Sequence, residues 1–213
     1  MLSDDAADSF DRYFEGIAED LEALGLDDAV IVGEVTQNRR ANWKILVEGG
    51  IEAYHFRIAH KSTIGPHFED NLSSYRMFGP HMRSILPRTS MAKLTPDTRS
   101  DWRLRDHANV LYSLFPTTQL LVQQDHVAWI RQEPVSAGES ILKLVLLAPQ
   151  GAAGDTAHWA RNLEITRTTL DEDFDIGESI QSGLMSGAND EMLFGRFEGA
   201  LGAFNDTVDR YAA

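Results

Sequence analysis

The sequence predicts an α+β fold in which a curved antiparallel sheet packs against a long C-terminal helix. Three observations lead there. Between Val110 and Leu147, β-branched and apolar runs follow one another at short spacing, as consecutive antiparallel strands do. From Asp155 to roughly Leu184 the period becomes helical, with Trp159, Leu163, Ile165, Leu170, Phe174, Ile176 and Ile180 as apolar positions. No helical stretch interrupts the 110–147 group, which argues against a βαβ array.

Residues 4–25 read as an amphipathic helix. Phe10, Phe14, Ile17, Leu21 and Leu24 recur at helical spacing, Asp4, Asp5 and Asp8 crowd the first turns, and Gly25 is a stop. Val30, Ile31, Val32 and Val35 mark a strand over 29–36, and residues 37–40 a polar turn. Trp43, Ile45 and Val47 alternate with Asn42, Lys44 and Glu48, which predicts a second strand ended by Gly49-Gly50. After His60 comes a loop over 61–72 holding Pro66, His67 and Asn71, then a short strand over 74–78 stopped by Gly79-Pro80. Residues 83–105, with Pro87 and Pro96, read as loop with a brief helix. Strands follow over 110–115, 119–124, 127–133 and 141–147, joined by turns at 124–126 and 136–139. A breaker at 150–154 precedes the long helix, and a second helix is expected over 190–211. A long helix across a curved sheet is a helix-grip arrangement. The reading is one domain over 1–213: a lead-in helix (1–25), the sheet with its site helix and loops (29–149), and C-terminal helices (155–213).

At 213 residues the chain can bury a sizeable core unaided. A formal net charge of −14 disfavours nucleic acid and anionic membrane surfaces as partners. No apolar run is long enough to span a bilayer and no signal pattern opens the chain, so a soluble, cytoplasmic protein is expected. There is no cysteine, hence no disulfide and no thiolate-held metal or iron–sulfur cluster.

The chemistry concentrates in Glu52, His55 and His60. Two imidazoles and one carboxylate from elsewhere make a facial triad, which suits iron(II) and leaves positions open for dioxygen. Residues three apart share a helix face, whereas residues five apart sit about 140° away. Glu52 and His55 can therefore face one way, and the helix is expected to bend, tighten or end between His55 and His60. The spacing is not that of a zincin, whose histidines are four apart. A lone His-x4-His pair is more often two unrelated histidines, so the surrounding residues decide the matter.

Asn42-Trp43-Lys44, then Glu48, then Glu52-x-Tyr54-His55-x4-His60 resembles the iron-binding segment of Rieske-type ring-hydroxylating oxygenase alpha subunits. Glutamate at position 52 is more similar to the monooxygenases acting on quaternary ammonium compounds than to naphthalene-type dioxygenases. Gly49 departs from the asparagine usual there. The resemblance implies a helix-grip fold of the START/SRPBCC kind, and iron(II) held by His55, His60 and an acid from the run 171–184, which is similar to the family's Glu-Asp-x4-Glu-x2-Gln-x-Gly-Leu. That acid maps onto Asp173, with Asp175 as competitor and a solvated acidic helix face as the plain alternative. Glu52 takes the place of the family's bridging acid between the iron and a neighbouring Rieske cluster. In this chain it is either an unpaired acid near the metal or a partner orienting His55.

The resemblance further implies hydroxylation of a small organic substrate by dioxygen, a trimeric assembly, and a reductase feeding a Rieske [2Fe–2S] cluster. With no cysteine, that cluster must come from another chain or from a domain outside these residues. Glu52 and the acidic composition favour a cationic or small non-aromatic substrate. The rival reading is a helix-grip ligand-binding protein, or an inactive relative, without turnover. His67, His81, His107, His126 and His158 have no metal spacing and read as surface or partly buried histidines. Trp43 reads as core.

Overall fold

The computed structural model describes residues 6–188 and 191–212. Two short helices open it, α1 (Ala6–Tyr13) and α2 (Ala18–Glu22). The single helix expected over 4–25 is broken at Gly16, whose φ of +81° leaves the right-handed helical region. Asp4 and Asp5 lie outside the described residues. Gly25, at φ +63°, is the expected stop. Phe14, Ile17, Leu21 and Leu24 pack with Val110, Tyr112, Leu120 and Val122 on one face of the sheet, while Phe10 is exposed.

The sheet has seven strands, β1 (Ala29–Arg39), β2 (Ser74–Phe78), β3 (His81–Pro87), β4 (Ala108–Leu114), β5 (Thr118–Val122), β6 (Val127–Ser136) and β7 (Glu139–Pro149). Their order is β1-β7-β6-β5-β4-β3-β2, antiparallel throughout. Strands β2 to β7 form a meander, and β1 returns to the far edge beside β7. Residues 37–39, expected as a turn, continue β1 and pair with Leu142, Ile141 and Ser140. Strand β3 lies where loop was partly expected. Its Met82, Ser84 and Leu86 face inward at period two, but Pro87 and the polar residues between them hide that alternation in the sequence.

The other face is covered by α3 (Trp43–Ile51), α6 (Thr156–Met185) and α7 (Gly199–Ala212), while the short α4 (Phe56–Ala59) and α5 (Leu104–His107) lie in connections. Leu46 and Phe174 meet Ile130, Leu142, Leu144 and Leu146 in the main core. This is the expected α+β helix-grip arrangement. The strand expected at 42–48 is instead α3. Asn42 caps it, its side-chain oxygen accepting the Lys44 N–H at 3.0 Å. Burial of Leu46, Val47 and Ile51 on one face outweighs the alternating pattern. Gly49 and Gly50 sit inside this helix. A Cβ on Gly50 would lie 2.9 Å from the Gln119 amide, so glycine serves close packing there and does not end the helix. The last helix starts at Gly199, later than expected: Met192 and Phe197 precede it and Asp190 lies outside the described residues. Ile165, Ile176 and Ile180 of α6 are exposed. Trp43 packs edge-on against Phe204 at 6.1 Å.

Two histidines expected near the surface are core residues. His81 is fully buried. Its Nε2–H donates to the Tyr13 carbonyl at 2.9 Å and its Nδ1 accepts the Phe115 N–H at 3.1 Å. His126 is buried against Trp159. Burial lowers both below the ordinary histidine value, against the Tyr13 hydrogen bond in one case and Asp125 in the other. A folded pKa below the unfolded one leaves stability intact above pH of about 6.5 and removes it as pH falls, because the unfolded chain takes up the proton first. Between pH 7.5 and 5.5 the urea midpoint of the unaltered chain is therefore expected to fall relative to that of His81→Gln. An equal slope in both proteins would contradict this.

Candidate metal centre

Helix α3 ends at Ile51, and Glu52 turns the chain into extended backbone (φ −128°, ψ 166°). One tight turn follows, then the four-residue helix α4 (Phe56–Ala59), which His55 precedes and His60 closes. The break therefore comes before His55 and not, as expected, between the histidines, which flank a short helix of their own. Their five-residue separation becomes an advantage. One ring enters from each end of α4, and the Nε2 atoms approach to 3.2 Å. From the middle of α6, Asp173 Oδ1 lies 3.3 Å from His55 Nε2 and 2.9 Å from His60 Nε2. These are the sole His/Cys/Asp/Glu group among the described residues whose donor atoms converge in this way. Asp175, two positions on, is 78% exposed and faces Arg39.

Each ring is held from behind by a carboxylate. Glu52 is 6% exposed. It accepts the His55 Nδ1–H through one oxygen and the Tyr54 backbone N–H through the other. It is thus neither unpaired nor solvated. Glu172 accepts the His60 Nδ1–H at 2.7 Å and the Thr63 hydroxyl at 2.6 Å. A carboxylate on Nδ1 fixes the tautomer that frees Nε2 as a ligand atom, the usual support of a metal-binding histidine. The donor set fits an iron(II) ion. Ligands about 2.1 Å from one ion at right angles lie about 3.0 Å apart, close to the three separations here. Neither Glu172 nor Thr63 is evident from spacing; the only signal for Glu172 is its place before Asp173. The rest of the acidic run is occupied elsewhere: Asp171 binds Arg39 and Arg167, and Glu178 binds Arg40.

Burial opposes charge on both rings, yet hydrogen bonds and charge from Asp173, with Glu52 behind His55, lift His55 to about 9 and raise His60 too. Burial alone would raise Asp173, but the two imidazoles outweigh it and hold the carboxyl below its ordinary value. The metal-free cluster therefore keeps a proton that a cation must displace. Loading iron(II) at pH 7 is expected to release about one proton, with affinity rising as pH approaches 9. Calorimetry in buffers of different ionisation enthalpy measures the release; iron uptake without it would overturn the expectation.

Two cavities border the cluster. One, of about 70 Å³, lies between sheet and helices and reaches His60 and Asp173. The other, of about 220 Å³, lies on the outer side against Glu52, His55 and Asp173, and is edged by Met192, Leu193 and Phe194. Gly49 lines both. Of the remaining histidines, His67 is exposed and makes no contact with the cluster. No helix among the described residues is long and apolar enough to cross a membrane.

A family model described as the ring hydroxylating alpha subunit (catalytic domain) matches residues 26–213. No curated protein sequence matches the chain significantly. Among solved structures, a quaternary ammonium Rieske monooxygenase bound to an inhibitor superimposes with a TM-score of 0.73 at 19% identity, over 95% of this chain and 56% of that one. Naphthalene 1,2-dioxygenase from Rhodococcus sp., bound to indole, gives 0.68 at 12% identity, over 94% and 61%. Dicamba monooxygenase bound to 3,6-dichlorosalicylic acid gives 0.60 at 10% identity, over 86% and 59%. The chain thus spans little more than half the length of these proteins.

Proposed function

Since the chain belongs to the family of ring-hydroxylating alpha subunits, catalytic domain, we propose that it is the iron-dependent oxygenating half of a Rieske-type oxygenase. The observation that carries the reading is the convergence of His55, His60 and Asp173 within 3.3 Å, each ring backed by its own carboxylate. Iron(II) bound there would supply activation of dioxygen for hydroxylation of an organic substrate, using electrons from outside.

The chain's residues supply position and exclusion. Glu52 and Glu172 hold the imidazoles in the tautomer that presents Nε2. Leu46, Phe56, Leu170 and Phe174 wall the inner cavity and keep water from the substrate side. The substrate sits in that cavity beside the metal, and the electron donor approaches the opposite, Glu52 side. There the outer cavity is edged by exposed Met192, Leu193 and Phe194. These residues hold no cysteine and cannot bind a Rieske cluster, so the cluster comes from another chain or from a domain outside these residues, with a reductase to feed it. A trimer that brings a neighbour's cluster to Glu52 is the assembly this arrangement suits.

The test is iron content, then turnover. Protein purified with iron(II) under reducing conditions should hold close to one iron per chain. With a Rieske protein, a reductase and NADH it should convert dioxygen and substrate to a hydroxylated product. Absence of bound iron in the unaltered chain would return it to the ligand-binding reading. Iron without product from any Rieske partner would leave a metal site but remove the oxygenase.

A further inference from the structure

The inner cavity has a chemistry of its own. Its volume of about 70 Å³ is roughly half that of the cavity known to hold benzene, so it favours molecules smaller than benzene. Phe56, Phe68, Leu111, Leu170 and Phe174 form most of its wall, and no lysine, arginine or glutamate lines it. The one acid that does, Asp173, has its charge turned to the imidazoles. An ammonium or carboxylate placed there would lose its hydration with nothing opposite to pair it, a loss that a neutral molecule avoids.

The polar groups of the wall are nearly used up. Gln119 gives its amide hydrogens to the Val47 carbonyl and Ser113 Oγ, and its oxygen accepts from Gln132. Thr169 donates to the Ile165 carbonyl. Asn109 is the exception. It is 5% exposed and stands on β4 opposite Leu86. Its Oδ1 accepts from both Nε and Nη2 of Arg88, at 3.2 and 2.8 Å. The Arg88 guanidinium in turn lies over the Phe68 ring. Two donors on Oδ1 prevent the amide from flipping, so Nδ2 is the free end, and it has no partner among the described residues. Asn109 lines the cavity, so an occupant's oxygen would supply the acceptor that Nδ2 lacks in the wall.

We propose that Asn109 sets the specificity of the site: its Nδ2–H donates to the single acceptor oxygen of a neutral molecule smaller than benzene, such as a short ketone, amide or alcohol. Calling the occupant a substrate rests on the oxygenase reading; its binding does not. The test accordingly uses the metal-free chain, so that failure to bind iron and failure here are separate results.

Three probes of equal size are titrated, namely 2-butanone, tetramethylammonium and propionate, while the methyl signals of Leu111 and Leu170 are followed by NMR. Butanone is expected to shift both and the two ions neither. Asn109→Asp keeps the partner of Arg88 but replaces the donor with a carboxylate oxygen. It should weaken butanone about tenfold and admit tetramethylammonium, reversing the order. Tetramethylammonium or propionate moving these methyls in the unaltered chain at concentrations where butanone does not would overturn the proposal. So would unchanged butanone binding in a folded Asn109→Asp. Should that variant not fold, the side-chain NH2 signal of Asn109 in the unaltered chain decides: butanone that shifts the two methyls while leaving this signal unmoved would overturn the proposal.

Discussion

Asp173→Ala is expected to take bound iron from about one per chain to almost none. Removing this carboxylate deletes both a donor atom and the negative charge that two neighbouring imidazoles share. The loss should exceed the roughly 10–100-fold that a supporting residue behind a ligand contributes, and Glu172→Gln should fall in that smaller range. The proton that the metal-free cluster holds should go as well, since Asp173 heads the interactions that lift His55 to about 9. Asp175→Ala is the control. Two residues along a helix is a rotation of about 200°, which turns Asp175 toward solvent and Arg39, so its iron content should match the unaltered chain. Iron retained in Asp173→Ala but lost in Asp175→Ala would reassign the third ligand and break the proposed centre. Metal content by atomic emission, on protein purified under identical reducing conditions, is sufficient.

Gly65→Ala is expected to destabilise the chain and empty the same site without touching a ligand. The loop after α4 folds back so closely that a Cβ at position 65 would lie 2.6 Å from the Phe56 carbonyl oxygen and 2.7 Å from that of His60. Ordinary carbon–oxygen contacts begin near 3.3 Å. Both opposing atoms are backbone, so no side chain can swing aside. The approach is held by the Gly65 N–H, which donates to the His60 carbonyl at 2.8 Å. Overpacking of this kind costs about 1–3 kcal/mol, or roughly 2–12 °C in Tm for a chain of this length. The strain falls on the backbone that aims His60, so iron affinity should drop with it. Scanning calorimetry and metal content together check this; a variant with native Tm and full iron would show that the turn adapts.

The strand meander and the long helix were legible because each follows a rule of one-dimensional pattern. Strand β7 alternates without interruption, Leu142, Leu144 and Leu146 going to the core while Lys143 and Val145 do not. Asp155 caps α6 through the His158 N–H at 3.0 Å, where the breaker and the acid announced it. The helix α3 was misread because Trp43, Ile45 and Val47 alternate like a strand, while the Asn42 cap and the apolar face of Leu46, Val47 and Ile51 favour a helix. Two glycines in its last turn then hid its length. Strand β3 was missed because Pro87 and Arg83 mask a face that only its neighbours reveal.

The residues by themselves determined the donor types, since imidazole and carboxylate with no thiol leave few metals and no internal iron–sulfur cluster. They also determined the helix-grip class, because strand and helix periods are local properties of the chain. The resemblance pointed to Asp173, and the fold brings it and not Asp175 to the histidines; tertiary structure alone decided that Glu172 stands behind His60 and that Asn109 keeps a free donor in the cavity. Each of these depends on groups far apart in sequence (Glu172 and His60 are 112 residues apart). Their meeting is set by how α6 lies across the sheet, a packing outcome that periodicity does not encode.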